Sequence, residues 1–136
     1  MEILDYLSPL PPERFDVYAE RKTWLGHVVK KYLLEGELPS LEGCHIAIIG
    51  VGESRGAVNN RGCSEAPDQI RERFYALKQA NYPYQIVDLG NLRAGITLED
   101  TYAAVTTIMV ELLKEGIIPV ILGGSQDLTL AQYIAY

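Results

Sequence analysis

Residues 117–129 read IIPVILGGSQDLT, and the way this stretch folds decides how the rest of the chain is arranged. An apolar run rich in β-branched residues and closed by Gly123 and Gly124 predicts a central strand of a parallel sheet, covered by helices on both faces. The C-terminal end of such a strand is a ligand-binding edge. The two glycines permit a sharp turn and close backbone approach, so Ser125, Gln126 and Asp127 are the first side chains able to reach a crevice there. Asp127 is also placed to cap a helix starting near Leu128.

Working backwards, Tyr102, Val105, Met109, Leu112 and Leu113 recur at helical spacing and Gly116 follows as a C-terminal stop, so a helix precedes the strand. Thr97 and Asp100 form a capping-box pattern at its start. Before it, Tyr84 to Leu89 reads as a strand that places Asp88 at its end, where a cap or turn contact is expected. Pro67, Ile70, Phe74 and Leu77 mark another helix, ended by Asn81, Tyr82 and Pro83. His45 to Ile49 is a short apolar strand. The order is βαβαβ followed by the start of a helix, which with right-handed crossovers gives three parallel strands covered by helices. If the first and third strands are neighbours, the loops leaving them share one crevice.

Gly50 to Pro67 is a long loop, GVGESRGAVNNRGCSEAP. Its glycines imitate a dinucleotide fingerprint, but they lead into more loop and not into a helix N-terminus, which is where a pyrophosphate would sit. A loop of this length in a compact domain usually binds something. Asn59, Asn60 and Arg61 are its candidates, because a guanidinium beside amides suits a carboxylate. The same residues also serve if they only hold the loop's own backbone. Cys63 has no evident base nearby, and Cys44 and His45, as neighbours on a strand, point to opposite faces.

The N-terminal segment, residues 1–43, is expected to be separate in character. Pro9, Pro11 and Pro12 keep its first dozen residues irregular. From Glu13 to Glu35, Phe15, Tyr18, Leu25, Val28, Val29, Tyr32 and Leu33 predict a long amphipathic helix with His27 partly buried in it. Residues 44–136 then form the α/β domain. The chain carries a net charge of −6 and no basic cluster, which argues against nucleic acid or an anionic membrane as a partner. No apolar run is long enough to span a bilayer, and two cysteines without zinc spacing suggest free thiols in a cytoplasmic protein. A three-stranded sheet leaves its third strand with an open edge and an uncovered apolar face, so the isolated chain is expected to self-associate.

With these residues laid out, the stretch from Ile46 to Tyr136 resembles the ureohydrolase family of arginase, agmatinase and formimidoylglutamase, and most closely the formimidoylglutamase branch. IAIIG, GAVNNRGCSEAP, APDQIRERF, VDLGNL and LLKEGIIPVILGGSQDLT carry the resemblance. It implies a three-layer αβα domain with a parallel sheet, of which this chain holds the N-terminal portion. It also implies hydrolysis of a C–N bond in a linear amidine, by water activated between two manganese ions. Members of the family have a Gly-Gly-x-His turn whose histidine is the first metal ligand. Here Gly123 and Gly124 match the glycines and Gln126 stands at the histidine, with Asp127 as a possible substitute ligand. An amide oxygen is a weaker and harder ligand than imidazole, so the resemblance leaves two expectations: a hydrolase with a modified metal site, or a non-catalytic relative that binds a small ligand or a protein. The remaining ligand clusters of the family do not occur in these residues. In the formimidoylglutamase branch an Asn and an Arg of the first loop hold substrate carboxylates, which would be Asn60 and Arg61 here. A small-molecule substrate and a homo-oligomer are the partners expected.

Overall fold

The computed structural model describes residues 3–136. Five strands form one sheet: β1 (Leu7–Ser8), β2 (Lys30–Lys31), β3 (Ile46–Val51), β4 (Ile86–Leu92) and β5 (Ile118–Gly123). Along it the order is β1-β4-β3-β5, with β2 also pairing β4. The three long strands are parallel, and β3 lies between the other two. Only β1 runs antiparallel. Helices α3 (Ala66–Tyr75), α4 (Leu98–Lys114) and α5 (Leu128–Ala135) follow the long strands in turn, as the sequence pattern predicts.

Alternation along β3 sorts the layers. Ala47, Ile49 and Val51 join Val87 and Leu89 of β4 in the main core with Val105, Ile108, Met109 and Leu112 of α4. On the opposite face α3 brings Arg71 beneath Gly50. The sheet is therefore sandwiched between helices, the arrangement that right-handed βαβ crossovers impose when they leave a central strand in both directions. The capping box of α4 is present, with Asp100 N–H donating to Thr97 Oγ1 at 3.1 Å and Thr97 N–H donating to Asp100 Oδ2 at 2.9 Å.

Three expectations are corrected. The long N-terminal helix does not form: residues 13–35 hold most of a four-residue helix, α1 (Pro12–Phe15), a 3₁₀ helix (Asp16–Glu20), a second four-residue helix, α2 (Leu25–Val28), and then β2. Phe15, Tyr18, Val29 and Tyr32 are buried as their pattern requires, but tertiary hydrogen bonds outcompete the helix. Leu25 N–H donates to Leu77 O at 2.7 Å, Gln79 N–H to Thr23 O at 2.9 Å and Tyr32 N–H to Asp88 O at 2.9 Å. Gly26 presses against the Tyr75 and Tyr18 side chains, where a Cβ would not fit. Propensity is a weak prior against such contacts. His27 is exposed, with Nδ1 at 2.7 Å from Ala19 O.

The strand of the opening stretch is also not central. Among the described residues β5 pairs only with β3, and Ile118 and Val120 are 58% and 38% exposed. Ile118 N–H donates to His45 O at 2.9 Å, so alternate residues, Pro119 among them, direct their backbone to the free edge. Proline's missing N–H is tolerated there. The third correction concerns Asp127, which precedes α5 without a side-chain capping bond.

Candidate functional site

The C-terminal edge of the sheet collects three segments: the loop after β3, the bulged end of β4 and the turn after β5. Their positions follow from a strand order in which the chain leaves β3 for β4 on one side and returns to β5 on the other. That reversal opens a crevice at the strand ends.

Between β3 and β4 the edge is a closed ionic lattice. Arg71 is fully buried, and each of its five N–H groups has an acceptor. Nε and one Nη2 hydrogen engage Asp88 at 2.8 and 2.9 Å, Nη1 reaches Asp68 at 2.9 Å and Asn91 at 2.6 Å, and Nη2 also donates to Gly90 O at 2.8 Å. Asp88 further accepts the Tyr75 hydroxyl and Gly90 N–H. Burial alone would lower the Arg71 pKa, but the charge and hydrogen bonds of Asp88 outweigh it and raise it. Burial and the neighbouring Asp88 carboxylate push the Tyr75 phenol well above its usual range. Asp88 therefore does make the expected turn contact, to Gly90, yet its main partner is an arginine seventeen residues earlier. Two glycines make the lattice possible. A Cβ on Gly50 would collide with Asn91 and crowd the Arg71 guanidinium. Gly90, at φ +78°, supplies the bulge that shifts the β3–β4 register between Ile48 and Gly50, and such bulges re-aim side chains beside sites.

The loop after β3 is fixed by a second pair. Glu53, 4% exposed, accepts the backbone N–H groups of Ser54 at 3.0 Å and Arg55 at 2.8 Å, the Arg55 guanidinium at 2.7 Å and the Thr101 hydroxyl at 3.2 Å. The Arg55 side-chain bond is the largest influence holding its pKa at about 2. Arg55 also donates to Gly95 O at 3.0 Å and Ile96 O at 2.8 Å, which ties the loop to the entry of α4. A cavity of about 130 Å³ lies here, lined in part by Glu53, Ser64, Asp68, Asn91 and Thr101.

The turn after β5 rests on that loop. Ser125 N–H donates to Glu53 O at 2.9 Å. Gly124 sits at φ +99°, and a Cβ there would strike Val51 O, so only glycine suits the position. The Tyr102 hydroxyl donates to Asp127 Oδ2, and Gly56 packs directly on that carboxylate. Burial raises the Tyr102 pKa to about 12, with Asp127 adding to it. Gln126 is exposed. Ser125 Oγ and Asp127 Oδ1 are buried; burial alone would raise the Asp127 pKa, but hydrogen bonds from the Ser125 and Tyr102 side chains outweigh it and lower it.

The structure thus brings Gly123, Gly124, Gln126 and Asp127 to the expected edge. Asn59, Asn60 and Arg61 stand exposed further along the loop, with Asn59 at φ +57° and Arg61 opening a 3₁₀ turn (Arg61–Glu65). Glu53, Arg55, Arg71 and Asn91 were not picked out by sequence reading. Asp88 together with the Gly90-Asn91 pair was the available signal for the last two, since an acid inside a strand that reads as buried requires a basic partner.

An α/β sheet with a polar crevice at a topological switch point defines a class of small-molecule sites. The sequence pattern of the arginase family matches residues 44–136, and the chain belongs to that family. It is 33% identical over 99 residues to a mitochondrial guanidino acid hydrolase of Mus musculus, covering 66% of this chain and 28% of the relative. With the formimidoylglutamase of Staphylococcus aureus it shares 30% identity over 94 residues, covering 66% and 30%. Formiminoglutamase of Trypanosoma cruzi, solved with Mn2+, superposes with a TM-score of 0.62 at 23% identity over 73% of this chain and 40% of that one. Agmatine ureohydrolase of Thermoplasma volcanium gives 0.65 at 24% over 72% and 36%. The chain spans about three-tenths of the length of the curated relatives it matches.

Manganese can be tested against the donors present. Among the described residues no group of three or more His, Cys, Asp or Glu is placed to hold a metal. The turn offers a carboxylate, a hydroxyl and an exposed amide, all oxygen donors. These fit a hard cation in kind, but they are too few to enclose one.

Proposed function

We propose that this chain supplies the N-terminal part of a formimidoylglutamase-like ureohydrolase, which hydrolyses a C–N bond in a linear amidine. The observation carrying this reading is the 123–127 turn, seated by Ser125 N–H on Glu53 O at the switch-point crevice in a chain of the arginase family. The chemistry manganese supplies when bound is Lewis acidity, which lowers the pKa of a nearby water. This chain's share of the work is positional. Glu53 and Arg55 hold the first loop on α4, Tyr102 and Gly56 seat Asp127, and Asn60 and Arg61 on the exposed loop meet the carboxylates of the substrate. The turn would supply only part of the donors toward the cation.

A second reading rests on one observation. Gln126 is exposed, and if it stands at the family's first ligand, as the resemblance implies, the chain is a non-catalytic relative that binds a small ligand or a protein. Metal content and amidine hydrolysis, measured on the polypeptide extended to the family's full length, decide between the two. Two tightly held manganese ions with turnover support the hydrolase. No metal and no turnover after manganese reconstitution leaves the non-catalytic reading.

A further inference from the structure

We infer that the opposite edge of the sheet carries a second small-molecule site, which takes a neutral, flat nitrogen heterocycle of the nucleobase class. The inference is independent of the proposed hydrolysis, which belongs to the C-terminal edge. A cavity of about 390 Å³ lies where β3 and β4 begin, within the roughly 300–1,000 Å³ typical of sites that hold small molecules. Leu25 and Val28 of α2 line it together with Ile46 of β3, Ile86 of β4, and Tyr82 and Tyr84 of the loop between α3 and β4. Leu25 and Val28 precede residues 44–136, which carry the family pattern, so the N-terminal segment completes the cavity.

The chemistry of the lining selects the ligand. Its polar side chains are the amides of Gln79, Asn81 and Gln85 and the two phenols, and among the described residues lining it there is no acid, lysine, arginine or histidine. A charged group would enter without a partner, and its desolvation would be costly. Tyrosine rings offer flat apolar faces on which a planar ring stacks. A carboxamide presents a donor and an acceptor side by side, which match the paired donor and acceptor on the edge of a nucleobase. The frame around these groups is fixed. Leu25 N–H donates to Leu77 O at 2.7 Å and Gln79 N–H to Thr23 O at 2.9 Å, which joins α2 to the loop. His45 meets the Tyr84 ring edge-on with centroids 5.7 Å apart, and its Nδ1 accepts Gln85 N–H at 3.1 Å. The Gln79 amide is half committed, through a bond to Lys22 O at 2.5 Å. Among the described residues the Asn81 and Gln85 side-chain amides make no hydrogen bond, so both are available to a ligand.

Saturation-transfer NMR with adenine and the 136-residue chain tests the site. Adenine is expected to bind with a Kd of about 0.1–5 mM, the range open to a ligand of about ten heavy atoms. Tyr84→Ala should weaken binding about fivefold or more and Gln85→Ala about threefold, because the first removes a stacking face and the second one paired contact. Tyr133→Ala, on α5 and outside the cavity, should leave it unchanged. Adenosine monophosphate should bind no more tightly than adenine, and phenol about fivefold more weakly or worse, since it lacks the paired edge. Tyr84 and Gln85 are exposed, so circular dichroism should show both variants folded, and if one is not, the other decides. Absence of saturable binding overturns the inference, as does binding unmoved in a folded Tyr84→Ala or Gln85→Ala variant, or lost in Tyr133→Ala. Phenol bound as tightly as adenine would overturn the assigned class, and so would tighter binding of the monophosphate.

Discussion

The two sides of β3 are built on opposite terms. Toward β4, the buried charges at the C-terminal edge are answered: Arg71 has five acceptors, Asp88 is met by Arg71, Tyr75 and Gly90, and Glu53 is held by Arg55 and Thr101. Toward β5, the stretch from Gly116 to Tyr136 has one charged side chain, Asp127, which among the described residues no cation meets and which is held only by the Tyr102 and Ser125 side chains. A saturated lattice fixes geometry but has no capacity left to bind. A turn with a carboxylate and no cation beside it, seated on a rigid neighbour, can engage a ligand without first ordering itself. The β4 side therefore acts as frame, and under the proposed function the β5 side is the receiver.

Breaking the frame should have the largest effect. Arg71→Met leaves the Asp88 carboxylate buried and unpaired, and such losses cost about 3–5 kcal/mol. Urea denaturation should show a fall of that size. Arg71→Met combined with Asp88→Leu should cost clearly less than the two single changes added together, because no charge is left stranded. Additive losses would mean that the pair is not coupled and that the frame is held by packing alone.

Glu53 gives a smaller effect with a pH signature. Its folded pKa of about 2 lies below the usual 4.5, so its contribution is fully present above about pH 4.5 and fades as the pH falls toward 2. The full shift overstates this contribution because the Arg55 side chain remains 40% exposed; about 2 kcal/mol at neutral pH is expected. Glu53→Gln should lower Tm at pH 7, and its gap from the unaltered chain should close between pH 4.5 and 2. A gap that stays constant across that range would show that the carboxylate's charge plays no part in pinning the loop.

The free side of β5 should reveal itself in solution. Ile118 on the strand and Leu130, Tyr133 and Ile134 on α5 are exposed apolar side chains, and exposed edges of this kind associate. Sedimentation of the 136-residue chain is expected to show concentration-dependent association, weakened about tenfold by Ile134→Glu, since a charge without a partner opposes burial. A monomer at every concentration would show that Pro119 and the twist of the edge are sufficient protection.

These contrasts divide what a reader of the sequence can see from what remains hidden. The βαβαβ order was legible because helical and strand periodicities are local, and the capping box because its two bonds span three residues. The turn at Gly123-Gly124 was legible too, since paired glycines after an apolar strand have few other uses. The frame was hidden by distance: Arg71 and Asp88 are on different elements, and only the fold shows that Gly50 makes room for them. The N-terminal segment misled for the opposite reason. Its burial pattern is compatible with a helix, but residues 23–32 bond to the stretch after α3 and to β4, and nothing local announces those partners. Pro119 was an overlooked local sign of the free edge that the strand count already implied.

The smallest effect on stability, and the sharpest test of the division between frame and receiver, is expected at Asn60 and Arg61. Both are exposed on the loop, away from the Glu53–Arg55 lock, so Arg61→Ala should shift Tm by no more than about 2 °C, as surface changes do. If the loop meets a substrate carboxylate, the same change in the family-length polypeptide should raise KM about tenfold or more while leaving kcat nearly unaltered, because a charge-assisted contact made equally in ground and transition states affects binding alone. Arg61→Lys should recover only part of that loss, since an ammonium cannot make the bidentate fork. A fall in Tm comparable to that of Glu53→Gln would place Arg61 in the frame instead, and an unchanged KM would remove it from substrate recognition.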